Sequence, residues 1–249
     1  MDSNNSLSIF LHALIYPLTR MSAFFMGLLA GLTCFFFIGF LLVPGYVVRC
    51  GRHIMNGDFR LPTWDNAGDS LLNNGFSALC IILIYGIISY LISFAVRALL
   101  GWMPSVTIYD PYVAISIADC ASFILTLPIS MMAYLSLMIF IDRNDLGRAL
   151  NPSNAFRLLL AKPIVFLKAA ILVFVAANIL SIPLTVTGII VLAYRDQFLL
   201  FCPLALGFMA LMMCQLFVIL CVNIFIWASY YRMVIGSIED EREANIPDR

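Results

Sequence analysis

The sequence predicts an all-α integral membrane protein, a polytopic helical bundle of about five spans with additional interfacial helices. Of its 249 residues, 63% are hydrophobic and 11% are charged, and the mean hydropathy is +1.00. Soluble domains average about 45–50% apolar and about 25% charged residues, so this composition excludes a soluble fold. The other observation is a series of five long apolar segments, each long enough to cross a bilayer as a helix of about 20 residues.

The chain divides into three predicted regions. Residues 1–21 form an interfacial helix, because their apolar stretch is too short to cross a bilayer. Since Asp2 precedes any basic residue, we expect no cleavable signal peptide. The transmembrane domain covers residues 22–238, and a charged tail follows at 239–249. The predicted spans are 22–48, 76–100, 113–141, 163–193 and 197–231.

Basic residues predict the orientation of these spans. Eleven of the 14 lie at one set of span ends, and only Arg20, Arg97 and Arg195 lie at the other. Because Lys and Arg concentrate in cytoplasmic loops, we expect the basic loops and the C-terminus to face the cytoplasm, in the inner (cytoplasmic) membrane. Two alternatives stay open: residues 22–48 could form a re-entrant hairpin, which would move the N-terminal helix to the cytoplasmic side, and Pro183 could split the fourth span.

A polar insert at residues 44–75, here called the first insert, separates the first two predicted spans. Asp65 can cap a helix over residues 66–72, which Asn73-Asn74-Gly75 would end. A tryptophan at the start of this helix fits the headgroup level, where its ring is buried and its N–H stays wet. The candidate lipid-binding or partner-binding residues of the first insert are Tyr46, Arg49, Arg52, Trp64 and Asp65.

A second insert, at residues 142–162, follows a similar plan. Gly57 precedes Pro62 by five residues, and Gly147 precedes Pro152 by the same spacing. Asn151 can cap a helix that has proline at its first position. The similarity suggests two units of span, interfacial helix and span, followed by a final span. The second helix would direct Phe156, Leu158, Leu159 and Leu160 toward lipid and Arg157 and Lys162 toward headgroups.

Few polar groups lie inside the predicted spans. Asp119 is the notable carboxylate, and we expect it near the outer headgroup zone, with a proton or cation relay as the alternative. The amides Asn178, Gln215 and Asn223 can form hydrogen bonds between helices, each contributing about 0.6–2 kcal/mol. The alternative for these amides is the lining of a transport pathway.

The sequence offers little chemistry for catalysis or cofactors. Cys50 and His53 have metal-compatible spacing, but no second Cys/His pair accompanies them, so we expect neither a metal nor another cofactor. Nucleotide-binding loops and nucleophile motifs are absent. The balanced charge makes nucleic acid an unlikely partner. An acidic set could act on lipid headgroups, although a solvated loop is the simpler interpretation; it comprises Asp58, Asp65 and Asp69.

One run of the first insert carries a specific pattern: Gly45-Tyr46, Arg49, Arg52, Gly57, Leu61-Pro62, Trp64-Asp65 and Gly75. This pattern resembles a family of bacterial and archaeal multi-span membrane proteins known only as a domain of unknown function. The family is similar in outline to membrane domains that accompany some glycerophosphodiesterases, whose catalytic domain has no counterpart in this sequence. The resemblance implies an α-helical membrane fold and supplies no catalytic residue.

Two amphipathic inserts beside so few reactive groups predict a non-catalytic membrane protein. We expect a scaffolding or assembly subunit whose partners are membrane lipids and other membrane proteins or further copies of itself. A transporter or channel that uses Asp119 and the intramembrane amides is one alternative. A membrane enzyme that acts on lipid headgroups is the other.

Overall fold

The computed structural model describes residues 3–33, 39–64, 68–101, 111–194 and 198–244, which fold into α-helices joined by short connections. No strand occurs among them, so the predicted all-α fold is confirmed. The helices are α1 (Ser3–Ile15), α2 (Met21–Leu32), α3 (Gly39–Met55), α4 (Gly68–Gly101), α5 (Pro111–Arg143), α6 (Leu146–Leu150), α7 (Pro152–Ala161), α8 (Pro163–Ala193) and α9 (Phe198–Ala244), with a 3-10 turn at Tyr16–Leu18.

Four helices contain segments long and apolar enough to cross a membrane, which makes this a multi-pass membrane protein. A fifth candidate is the pair of α1 and α2, which is bent by 78°. Pro128, Pro183 and Pro203 lie inside continuous helices, so the possible split of the fourth span does not occur. The four segments are Leu71–Leu99, Asp119–Arg143, Pro163–Ala193 and Cys202–Ile238.

The predicted first span at residues 22–48 is wrong as a single helix. Helix α2 ends at Leu32, where the backbone N–H of Thr33 closes its last turn, and α3 begins only at Gly39. Helix α3 then continues to Met55, well beyond the predicted end of the span. Apolar content alone could not reveal this division, because hydropathy does not distinguish one crossing from two shorter helices.

Helices α2 and α3 pack along α9 in opposite directions. A Cβ on Gly27 would overlap the Phe217 ring and one on Gly31 would press on the Met213 carbonyl, so α2 runs antiparallel to α9. Helix α3 runs parallel to α9, because the Tyr46 ring lies 5.9 Å from the Phe217 ring while its C-terminal end reaches the Arg232 side chain. The two helices therefore form a hairpin in which α3 returns to the level at which α2 began.

Hydrogen bonds join the residues just before α2 to the segment that follows α3. The Arg20 guanidinium donates to the Leu61 carbonyl over 3.2 Å, and the Leu61 N–H donates to Thr19 Oγ1 over 3.0 Å. Leu61 itself is fully buried. The entry and the exit of the hairpin therefore lie side by side, although more than forty residues separate them in sequence.

The predicted interfacial helix of the first insert is also wrong as a separate element. Helix α4 runs from Gly68 to Gly101 without a break at Asn73-Asn74-Gly75, so these residues lie within it. The reason is a close helix crossing, since a Cβ on Gly75 would overlap the Leu41 carbonyl of α3. Glycine at this position permits close helix packing and does not end the helix.

Contacts divide the chain into two compact units, one of Met1–Ala78 with Lys162–Arg249 and the other of Leu79–Ala161. In the first unit, α9 is the central helix, and α1, α2, α3 and α8 pack against it. Helix α8 runs antiparallel to α9, because Phe166 stacks on Trp227 and Gly188 lies beside Phe208. The largest fully buried side chains of this core are Trp227, Tyr16, Tyr46, Tyr230, Phe166 and Phe217.

In the second unit, part of α4 pairs with α5, and the short helices α6 and α7 pack on α5. Buried Ser136 donates a hydrogen bond of 2.8 Å to the Tyr85 hydroxyl. Helix α7 begins at Pro152, as predicted, and Asn151 Oδ1 accepts from the Ser153 N–H. Leu159 is buried in the protein and does not face lipid, which corrects its predicted orientation.

Candidate functional site

Within the first insert, α3 ends in a turn whose conformation favours glycine at position 57. At the end of α3, the Asp58 N–H bonds to the His53 carbonyl and the Gly57 N–H bonds to the Ile54 carbonyl. These two bonds define a Schellman motif, and Gly57 has the positive φ of 85° that the motif requires. His53 also approaches the Asp58 carboxylate at 3.2 Å. The Arg60 backbone N–H and the His53 side chain hold the pKa of Asp58 below its usual value.

Two aromatic side chains hold the exit of the first insert. Tyr46 and Trp64 stack with ring centroids 4.1 Å apart and planes 5° apart. The buried Tyr46 hydroxyl donates to the Pro62 carbonyl over 2.7 Å, and the Trp64 indole N–H donates to the Ala23 carbonyl over 3.0 Å. The pair thereby ties α2, α3 and the first insert together, which gives two predicted interface residues a structural role.

A glycine contact joins α3 to the beginning of α4. A Cβ on Gly45 would overlap the Leu71 carbonyl, just as one on Gly75 would overlap the Leu41 carbonyl. Near this crossing, the Arg52 guanidinium donates to Asn74 Oδ1 over 3.2 Å. The motif glycines and Arg52 therefore set the spacing of two helices.

The remaining predicted interface residues that the structure describes belong to different elements. Arg49 is half-buried on α3, and Arg157 is exposed on α7. Lys162 precedes α8 as its N-cap residue. Asp65 and the side chain of Asp69 lie outside the described residues, so the acidic set is described only at Asp58.

The intramembrane polar residues belong to three helices, α5, α8 and α9. Asp119 forms a salt bridge of 2.8 Å with Arg97, which connects α5 to α4. Gln215 donates to the Leu180 carbonyl of α8, whereas Asn178 donates to Phe174 within its own helix. The Asn178 contact differs from the interhelical bond that we expected. Asn223 is buried, and its side-chain oxygen has no hydrogen-bond partner among the described residues.

A cavity of about 630 Å³ lies beside the first insert, between α1, the end of α3 and the C-terminal part of α9. Sequence analysis missed it, because its lining comes from three separate stretches of the chain. The only available signal was Arg232, a single cation that follows the apolar run of the last predicted span. We call this cavity the basic pocket; its lining includes Ser8, His12, Phe59, Phe225, Ser229 and Arg232.

The lining of the basic pocket combines apolar walls with hydrogen-bond donors and a cation. The Phe59 and Phe225 rings lie 5.9 Å apart. His12 Nδ1 donates to the Ser8 carbonyl over 2.7 Å, which orients the imidazole along α1. None of the lining residues that the structure describes is acidic. Among the residues that the structure describes, there is no group of three or more His, Cys, Asp or Glu side chains that could hold a metal ion.

Comparison with known proteins identifies the family. Residues 28–192 match the family described as "Protein of unknown function (DUF4013)". No curated protein and no solved structure matches the chain. The matched stretch includes the whole first insert, whereas α1 and α9 lie outside it. Because the match covers more than half of the chain, this multi-pass membrane protein belongs to that family of unknown function.

Proposed function

We propose that this protein is a non-catalytic membrane subunit that organises lipids or partner proteins at one surface of the membrane. The observation that carries the proposal is the exposure of apolar side chains on the two short helices α1 and α7. On α7, Phe156 is 50% exposed and Leu160 is 60% exposed, with exposed Arg157 between them. A helix with apolar and basic side chains exposed together suits the membrane surface or a partner's helix.

The contacts of the first insert support a structural role for its polar groups. The Tyr46 hydroxyl, the Trp64 indole and the Arg52 guanidinium each bond to another part of the fold. Groups engaged in this way hold the hairpin in place. The proposed binding surfaces are therefore the exposed apolar side chains of α1 and α7.

The proposed orientation places the first insert in the cytoplasm. Because Arg20 bonds to Leu61, it lies at the same level as the exit of the hairpin. Arg20 therefore moves to the basic side, leaving only Arg97 and Arg195 on the other. Twelve of the 14 basic residues then favour one side, which strengthens the positive-inside argument for the inner membrane of a prokaryotic cell.

Mild purification of the full-length protein tests this proposal. We expect a protein or a set of lipids to co-elute, and a bare monomer without retained lipid would contradict the proposal. The double change F156S/L160S should reduce the co-eluting material, because it removes the exposed apolar side chains of α7. The control is R148Q, which removes an exposed charge from neighbouring α6 and should leave co-elution unchanged.

Transport is a second proposal, and it is favoured by one observation. Arg97 and Asp119 form a salt bridge between two helices that are apolar enough to span a membrane, and such an ion pair within spans can mark an ion pathway. Under this proposal, D119N abolishes a proton-dependent or ion-dependent flux in liposomes. A wild-type protein without flux across a broad solute panel would remove transport from consideration.

A further inference from the structure

The pairing of α8 with α9 shows which part of α8 lies at the same level as Arg232 of the basic pocket. Phe166 stacks on Trp227, and Leu180 accepts from Gln215, so the two helices run antiparallel in a constant register. Continuing this register places Arg232 at the level of Lys162, immediately before α8 begins. At 1.5 Å per residue, Arg232 lies roughly 8 Å beyond Trp227. The headgroup layer is about 5–8 Å thick, and a guanidinium at the level where the apolar run of α8 begins suits that layer.

The described lining of the basic pocket carries one permanently charged side chain, that of Arg232. Arg232 is exposed, and no carboxylate of the described residues forms a salt bridge with it. The Arg232 guanidinium lies against Gly57: a Cβ at position 57 would be 3.3 Å from Nη1, so a larger residue there would crowd the guanidinium. A guanidinium whose donors have no partner among the described residues suits phosphate oxygens, which it can bind through two parallel hydrogen bonds.

The walls of the basic pocket suit the rest of a lipid. Ile54 and Phe225 are buried, and half-exposed Phe59 continues this apolar surface toward the opening. Ser229 and Ser237 add hydroxyl groups on the same helix as Arg232. The volume falls within the range of about 300–1,000 Å³ that is typical of ligand pockets. It accommodates a headgroup with the first carbons of its acyl chains.

From this geometry we propose that the basic pocket binds the headgroup of an anionic phospholipid from the surrounding membrane. Arg232 binds the phosphate, the serine hydroxyls contact the headgroup, and Phe59 and Phe225 contact the adjoining carbons. The apolar walls, and the level of Arg232 beside the start of the apolar helix α8, favour a membrane lipid over a soluble phosphate compound. This inference rests on the proposed function, because it names the lipid class that the membrane subunit would hold.

The test uses full-length protein with phosphatidylglycerol or phosphatidylcholine, and native mass spectrometry measures the bound lipid. We expect phosphatidylglycerol to bind preferentially and R232Q to weaken its binding about tenfold, because a charge-assisted hydrogen bond is lost. G236F should weaken binding to a similar extent by filling the pocket, since Gly236 lines it and has open space for a Cβ. The matched control is G207F, another open glycine of α9 that does not line the basic pocket.

Three results would overturn the inference. The first is equal binding of the two lipids, and the second is equal phosphatidylglycerol binding by G236F and G207F at matched melting temperatures. The third is competition by glycerol 3-phosphate as strong as that by phosphatidylglycerol, which would indicate a soluble ligand. If one of these results were obtained while partner proteins still co-eluted with the wild type, only the lipid site would be refuted. The proposed function would be refuted only if neither protein nor lipid co-eluted.

Discussion

The two polar inserts share a glycine-to-proline spacing and differ in what holds them together. The first insert is fixed by residues distant in sequence, as shown by the bond from Trp64 to Ala23. The second insert is fixed by its neighbours: Asp145 caps α6 through the Arg148 N–H, and Asn151 caps the start of α7. Equal spacing therefore does not imply equal structure. In the first insert, the spaced glycine and proline belong to a segment that contacts between distant residues hold in place. In the second insert, they belong to two short helices that are capped by neighbouring residues.

This difference predicts the largest loss of stability at the glycine crossing that closes the first insert. In G45A or G75A, the new Cβ would overlap a backbone carbonyl, so α3 and α4 must separate. We expect each change to lower the free energy of unfolding by about 3 kcal/mol or more, measured by reversible unfolding in detergent. The control is G86A, because Gly86 of α4 has open space for a Cβ. A stable G75A would refute the close crossing.

The aromatic pair of the first insert should have the next largest effect. W64L removes both the stack on Tyr46 and the hydrogen bond to Ala23, which we expect to cost about 2–3 kcal/mol. W64F keeps an aromatic ring and should cost about half as much. Y90L provides the control, since Tyr90 is exposed on α4. Equal melting temperatures for W64L and Y90L would show that the pair does not hold the first insert.

The two glycines of equal spacing provide the most direct comparison of the inserts. G57A places a Cβ at a φ of 85°, and we expect it to destabilise the protein by about 1–2 kcal/mol. G147A should stabilise it by about 0.5–1 kcal/mol, because Gly147 lies inside α6 and the nearest atom to its new Cβ would be Asp145 Oδ1 at 3.4 Å. Thermal unfolding of both variants should therefore show shifts of opposite sign. Shifts of the same sign would contradict the different construction of the two inserts.

Sequence reasoning succeeded where the determining contacts are local or compositional. Long apolar runs predicted the all-α membrane fold, and Asn151 with Pro152 predicted the start of α7. It failed where a partner distant in sequence decides the structure. Asn73-Asn74-Gly75 looks like a helix end, but Gly75 packs against α3 within a continuous helix. The basic pocket was missed for the same reason, because α1 and α9 meet only after the chain has folded.

The smallest effects are expected at the helix caps of the second insert. D145A removes the acceptor for the Arg148 N–H and the salt bridge between the same residues, but water can replace both at this exposed site. We expect a loss of about 0.5–1 kcal/mol, which D145N should largely restore because asparagine also caps helices. Hydrogen exchange should show faster opening confined to α6 and α7, with α2 and α3 unchanged. Faster exchange across the hairpin of α2 and α3 would mean that the second insert is also part of a long-range closure, and the contrast between the inserts would then be lost.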